Sequence, residues 1–220
     1  MAKARKAKAA KIKVKFCGIT SWTDARRAVA AGANFLGFNF YQRSPRYIRP
    51  AKVRQIVRRL PKDVSAVGVF VDETEKKMLK IARETGLAYL QLHGDESPEM
   101  VKRLACFFPV IKAVPVRRSF RASHLARFRH ARALLLDGFD GKVPGGTGKP
   151  FDWDILRRVK HGRIFLAGGL RPENVAQAIR AARPFAVDVC SGIETKPGKK
   201  DAVRMKAFVR AVAGAFEGTK

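Results

Sequence analysis

Short apolar runs recur along the chain, separated by longer stretches whose apolar residues fall three or four positions apart. The runs at 12–16, 35–40, 66–71, 88–92, 110–114, 133–136, 164–167 and 186–189 predict eight strands. Helical spacing marks 23–31, 51–60, 75–85, 98–104 and 172–182, while 119–132 is weak as a helix. Strand followed by helix, repeated through eight strands, predicts an α/β fold of one (β/α)8 TIM barrel. A doubly wound open sheet is the alternative, but at this length it usually carries fewer strands. No composition shift divides the chain. Residues 12–220 are read as the barrel domain and 1–11 as a basic, disordered extension.

A parallel barrel keeps its chemistry at the C-terminal ends of the strands. The unusual residues fall there: Cys17 after the first strand, Tyr41 to Tyr47 after the second, and His93 after the fourth. Asp137 closes the sixth, Gly168 and Gly169 follow the seventh, and Cys190, Ser191 and Gly192 follow the eighth. Glycine lets backbone N–H groups approach an anion, and the last two loops are the common phosphate site of such barrels. One glycine pair alone reads as a tight turn; two in adjacent loops point to phosphate. The Gly145–Lys149 segment imitates a nucleotide loop, but Val143 and Pro150 occupy positions that need Gly and Ser or Thr. It reads as a basic loop over an anionic substrate or as a plain solvated loop.

Alternation turns Leu135 and Asp137 inward, so Asp137 is a general-acid candidate or a buried ion-pair partner. Lys15 and Cys17 face inward in the same way, and a thiol beside a cation serves as base or nucleophile. Alone, such a cysteine reads more simply as packing. Asp188 is also inward, and strands one and eight adjoin on closure, so Lys15 and Asp188 are expected to pair. The same neighbourhood brings Cys190 towards Cys17, which allows an oxidative disulfide. The alternative is that Cys190 merely replaces a serine. Cys106 reads as core, His93 as a hydrogen-bonding rim residue, and Arg46 as a clamp for a carboxylate or one more surface arginine.

Composition narrows the field further. Of 220 residues, 46% are hydrophobic, enough for a continuous core, and no apolar run approaches the ~20 residues that span a bilayer. The start is basic without the apolar segment of a secretory signal, so the expectation is a cytoplasmic protein with no membrane partner. Three scattered cysteines give neither a disulfide framework nor a zinc site. Net charge is +28, to which Lys3, Arg5, Lys6, Lys8, Lys11 and Lys13 contribute. Such a field attracts nucleic acid, but no stacking aromatics interleave with it. Bland surface charge that also steers anionic substrates is the expectation, with no dedicated nucleic-acid partner.

Eight segments together carry a resemblance: KFCGIT (15–20), GFNFYQRSPRYI (37–48), VGVFVDE (67–73), LQLHGDE (90–96), LLLDG (134–138), GGTGKPFDW (145–153), LAGGLRPENV (166–175) and VDVCSGIETKPGKKD (187–201). In this order they resemble the phosphoribosylanthranilate isomerase family of tryptophan biosynthesis. The resemblance implies an Amadori rearrangement of a phosphorylated aminoaldose to an aminoketose, without metal or cofactor. It implies Asp137 as general acid, Cys17 as general base and Arg46 as holder of the anthranilate carboxylate. Backbone groups of Gly168, Gly169, Ser191 and Gly192 would hold the phosphate, in a monomer or homodimer. Cys190 departs from the family's usual serine.

Three rivals fit less well. The barrel isomerase of histidine biosynthesis needs a second phosphate loop after strand three, where Val71 to Thr74 are acidic and lack glycine. A metal-dependent epimerase needs more inward ligands than His93. A nucleic-acid binder on this scaffold leaves the inward Cys17 and Asp137 unexplained.

Overall fold

In the computed structural model each strand sends alternate residues to opposite faces, and both faces are apolar, as parallel strands covered by helices require. The structure describes residues 12–116, 120–138, 159 and 162–216. The basic extension at 1–11 and the Gly145–Lys149 loop lie outside the described residues.

Strands β1 (Lys13–Phe16), β2 (Phe35–Asn39), β3 (Ser65–Phe70), β4 (Tyr89–Leu92), β5 (Val110–Val116), β6 (Ala133–Gly138), β7 (Ile164–Ala167) and β8 (Ala186–Val189) form a closed barrel in chain order. All pairings are parallel, and β1 closes on β8 with Lys15 opposite Asp188 and Phe16 opposite Val189. Helices α1 (Trp22–Ala31), α2 (Pro50–Val57), α3 (Glu75–Thr85), α4 (Pro98–Ala105), α5 (Val175–Ala182) and α6 (Ala202–Ala213) follow β1 to β4, β7 and β8. The stretch after β5 folds as a 3-10 helix, Ala122–Phe128, in keeping with its weak helical spacing.

Local signals explain the helix ends. Ser21, Thr74 and Ser97 accept hydrogen bonds from backbone N–H groups in the first turns of α1, α3 and α4. Gly32 ends α1 in the left-handed conformation that glycine adopts without strain. The expected helix at 172–182 begins only at Val175, because Arg171 to Asn174 form a turn in which Asn174 Oδ1 accepts from Arg171 N at 2.9 Å. A short hairpin after β8, β9 (Glu194–Lys196) and β10 (Lys199–Lys200), has no counterpart in the strand pattern, being too short to show alternation.

The outward strand faces and the helices enclose the larger core, which includes Phe16, Leu36, Phe38, Leu90, Leu134, Leu166 and Phe208. A second cluster fills the barrel: Phe35, Val67, Ile111, Ala133, Leu135, Phe165 and Ala186 among others. Phe35 meets Phe165 and Tyr89 edge-on, with ring centroids 5.2 and 5.8 Å apart. These rings sit near the N-terminal ends of their strands and make an apolar floor. Above them buried polar side chains, Lys15, Gln91 and Asp188, join the apolar ones.

Candidate active site at the barrel mouth

Above the aromatic floor, β1 and β8 contribute Lys15 and Asp188, both buried, with Nζ and Oδ1 2.9 Å apart. The expected ion pair is present. Burial opposes the charge of Lys15, but Asp188 and then Cys17 outweigh it and raise the ammonium's pKa. Burial pushes the Asp188 carboxyl up to about 7 against the pull of Lys15. The firm charge in this layer at neutral pH is therefore the lysine.

Directly after β1, Cys17 N donates to Val189 O at 2.9 Å, which fixes the cysteine against β8. Its thiol shares a pocket with the Lys15 ammonium, since a Cβ on Gly37 of β2 would lie 2.8 Å from Cys17 Sγ and 3.2 Å from Lys15 Nζ. The hydrogen bond from Cys190 lowers the pKa of Cys17 well below the usual thiol range; burial opposes this, and Lys15 and Lys200 reinforce it. Cys190 moves up, first because of that same hydrogen bond and then through burial. The two opposite shifts make Cys17 the more acidic thiol of the pair and Cys190 the one that holds its proton.

Across the mouth, Asp137 stands next to last on β6, opposite Ala167 of β7, and its Oδ2 is 3.4 Å from His93 Nε2. His93 is held from below by Gln91, whose Nε2 is 2.9 Å from His93 Nδ1. With Gln91 donating, the imidazole proton sits on Nε2 and faces Asp137. His93 therefore has the hydrogen-bonding rim role expected of it. The inward Gln91 was not singled out by the sequence.

Arg46 stands at the rim after β2, but it already has an internal partner. Its Nε and Nη2 bond Glu194, with the shortest contact 2.7 Å, and Glu194 also accepts from Lys200 Nζ at 2.8 Å. The bond to Glu194, against the cost of burial, raises the pKa of Arg46, and Glu194 is held below the usual carboxylate range despite its own burial. Lys200 also reaches Cys190, at 3.0 Å from its carbonyl oxygen and 3.6 Å from its sulfur. Glu194 and Lys200 lie in the 187–201 segment, yet neither falls at the C-terminal end of a barrel strand, so position alone did not mark them. Cys106 is exposed, not core: it follows α4 on the outer face.

The loops after β7 and β8 touch. A Cβ on Gly192 would lie 2.0 Å from Leu170 O, so only glycine permits this approach. Gly168 and Gly169 have φ of 92° and 61°, and a Cβ on Gly168 would meet Gly138 N at 2.3 Å. Asn174 braces the turn by donating to Gly169 O at 3.0 Å. Ser191 opens a short 3-10 turn, Ser191–Ile193, beside these glycines.

A cysteine just after β1 beside a buried lysine, a carboxylate on β6 and touching glycine loops after β7 and β8 thus meet at one end of the barrel. The profile of the N-(5'-phosphoribosyl)anthranilate (PRA) isomerase family matches residues 14–211. The chain belongs to this family. The N-(5'-phosphoribosyl)anthranilate isomerase of Trichlorobacter lovleyi is 47% identical over 201 residues, covering 90% of this chain and 97% of its own. The crystal structure of phosphoribosyl anthranilate isomerase from Thermotoga maritima is 41% identical with a TM-score of 0.86, covering 92% of this chain and 99% of that one. A second, 40% identical at a TM-score of 0.82 over the same shares, holds reduced 1-(o-carboxyphenylamino)-1-deoxyribulose 5-phosphate. The PRA isomerases catalyse an aldose–ketose rearrangement in tryptophan biosynthesis, and this chain is an isomerase of that kind. Among the described residues no helix is long and apolar enough to cross a membrane.

Proposed function

We propose that Cys17 and Asp137 divide the proton transfers of an Amadori rearrangement that converts N-(5-phosphoribosyl)anthranilate to 1-(2-carboxyphenylamino)-1-deoxyribulose 5-phosphate. The observation that carries this reading is the Cys17 thiol on a buried, ion-paired Lys15, at the same barrel end as Asp137. Asp137 protonates the furanose ring oxygen, the C1–O bond breaks, and the nitrogen lone pair forms the Schiff base. The Cys17 thiolate removes the proton from C2, and the electron pair flows to nitrogen to give the enolamine. Tautomerisation to the ketone completes a rearrangement that moves protons within one molecule, so it requires no metal or organic cofactor.

Backbone N–H groups of Gly168, Gly169, Ser191 and Gly192 take the phosphate, supported by the left-handed glycines and the contact between the two loops. Arg46 takes the anthranilate carboxylate, sharing its guanidinium between that group and Glu194. His93 steadies Asp137. The partner is a small phosphosugar, in keeping with a cytoplasmic monomer or homodimer whose basic surface serves capture of anions rather than nucleic acid. The test is loss of anthranilate-type fluorescence when phosphoribosylanthranilate is supplied. Asp137→Asn should lower turnover ~10²–10⁴-fold with the fold intact; turnover within a few-fold of the parent overturns the acid assignment.

A further inference from the structure

The rearrangement proposed above uses one thiol, yet two meet at the β1–β8 seam. Phe16 pairs with Val189, and Cys17 and Cys190 are the residues that directly follow these two neighbouring strands, with Cys17 N still bonded to Val189 O. Parallel neighbours lie ~4.8 Å apart, inside the ~4.4–6.8 Å Cα separation that a disulfide spans. The side chains converge as well. A Cβ placed on Gly18, the residue after Cys17, would lie 3.1 Å from Cys190 Sγ, so the second sulfur leans over the end of β1. Both thiols are free and partly exposed at the open end of the barrel.

The surroundings favour sulfur anions. Lys15 Nζ and Cys17 Sγ would both crowd a Cβ on Gly37, at 3.2 and 2.8 Å, and Lys200 Nζ is 3.6 Å from Cys190 Sγ. Two buried ammonium groups thus flank the thiol pair, each tied to a carboxylate, Asp188 at 2.9 Å and Glu194 at 2.8 Å. A thiolate, not a thiol, attacks peroxide, and a second thiol in reach resolves the product before further oxidation.

We propose that Cys17 and Cys190 form an oxidative modification site: a peroxide-reactive pair that closes to a disulfide and blocks the isomerase reversibly. The Cys17 thiolate attacks a peroxide oxygen, the O–O bond breaks, and the alcohol or water leaves with a proton, giving Cys17 sulfenic acid. Cys190 then attacks the Cys17 sulfur; the S–S bond forms, and hydroxide leaves and takes up the Cys190 proton as water. Two sulfurs lose one electron each, and the peroxide is reduced by two. Excess dithiol returns both thiols by exchange. Only the loss of turnover rests on Cys17 being the base; the disulfide itself does not.

The experiment uses the full chain carrying Cys106→Ser, which removes the exposed outer thiol and leaves two to count. Hydrogen peroxide is added, and free thiols, intact mass, linked peptides and isomerase rate are followed before and after dithiothreitol. The expected result is loss of both thiols, a mass lower by two hydrogens, and a peptide joining residues 17 and 190. The rate should fall at least ~10-fold and return to within about twofold on reduction. With Cys190→Ser added, and each protein scaled to its own untreated rate, Cys17 should proceed to sulfinic acid and dithiothreitol should restore little. Cys17 as sulfinic acid beside a free Cys190, or equal recovery with and without Cys190, overturns the proposal. Because thiol count and mass need no substrate, a protein that forms the disulfide but shows no isomerase rate would count against the proposed reaction alone.

Discussion

Lys15 and Lys112 make the same bond on opposite faces of one barrel. Each is buried, and each holds a carboxylate oxygen at 2.9 Å: Asp188 for Lys15, Glu96 for Lys112. Lys112 lies on the outer face of β5, where its remaining protons go to the carbonyl oxygens of Leu92 at 3.3 Å and Gly94 at 2.7 Å. Glu96 in turn accepts from the backbone N–H groups of Asp72 and Gly94. This pair staples the loops after β3 and β4, and its charge is consumed by structure. Lys15 faces inward, and beyond Asp188 its charge acts on the neighbouring Cys17 thiol. A buried ammonium is thus structural or chemical according to what else shares its cavity, not according to its ion pair.

Three changes test that contrast, the strongest first. Lys15→Met should lower kcat/KM ~100-fold or more, because the thiol of Cys17 returns towards its ordinary range. It should also remove ~3–5 kcal/mol of stability by leaving Asp188 without a partner. Alkylation of Cys17 by iodoacetamide followed against pH separates the two effects, since half-maximal labelling should move to higher pH. An unmoved profile would deny Lys15 any hold on the thiol.

Lys112→Met should cost a similar ~3–5 kcal/mol in denaturant unfolding while kcat/KM stays within a few-fold of the parent. Activity lost in proportion to the Lys15 variant would erase the distinction.

The smallest effect is a slope. Asp188 has a folded pKa near 7, above its ordinary 3.8, so the folded state binds more protons across that interval. Its favourable contribution is complete below pH 3.8 and lost as pH rises through about 7. Asp188→Asn removes that titration, so the parent should lose stability relative to the variant between these limits. Parallel curves from urea midpoints at several pH values would refute the assigned shift.

Period-two alternation was enough to place Lys15, Cys17, Asp137, Asp188 and Cys190 inside the barrel, because a strand residue's face depends only on its neighbours in sequence. Closure then made β1 and β8 adjacent, and the Lys15–Asp188 pair followed. What alternation could not show was who meets whom among loop residues. Arg46 and Glu194 are 148 positions apart, and nothing in either segment announces the other. Lys112 sits in an apolar run where its outward position gave no hint of Glu96 sixteen residues earlier. The hairpin at β9 and β10 was hidden because two and three residues carry no measurable period.

The Lys15–Asp188 bond spans 173 positions and joins the first strand to the last. During synthesis the amino-terminal strands emerge long before β8 exists, and non-local contacts of this separation form late. Until β8 arrives, the ammonium of Lys15 stays in water, since burying it without its carboxylate is costly. The barrel therefore keeps its seam open until the last strand is available, and the layer beneath Cys17 is assembled in the same event that completes the fold.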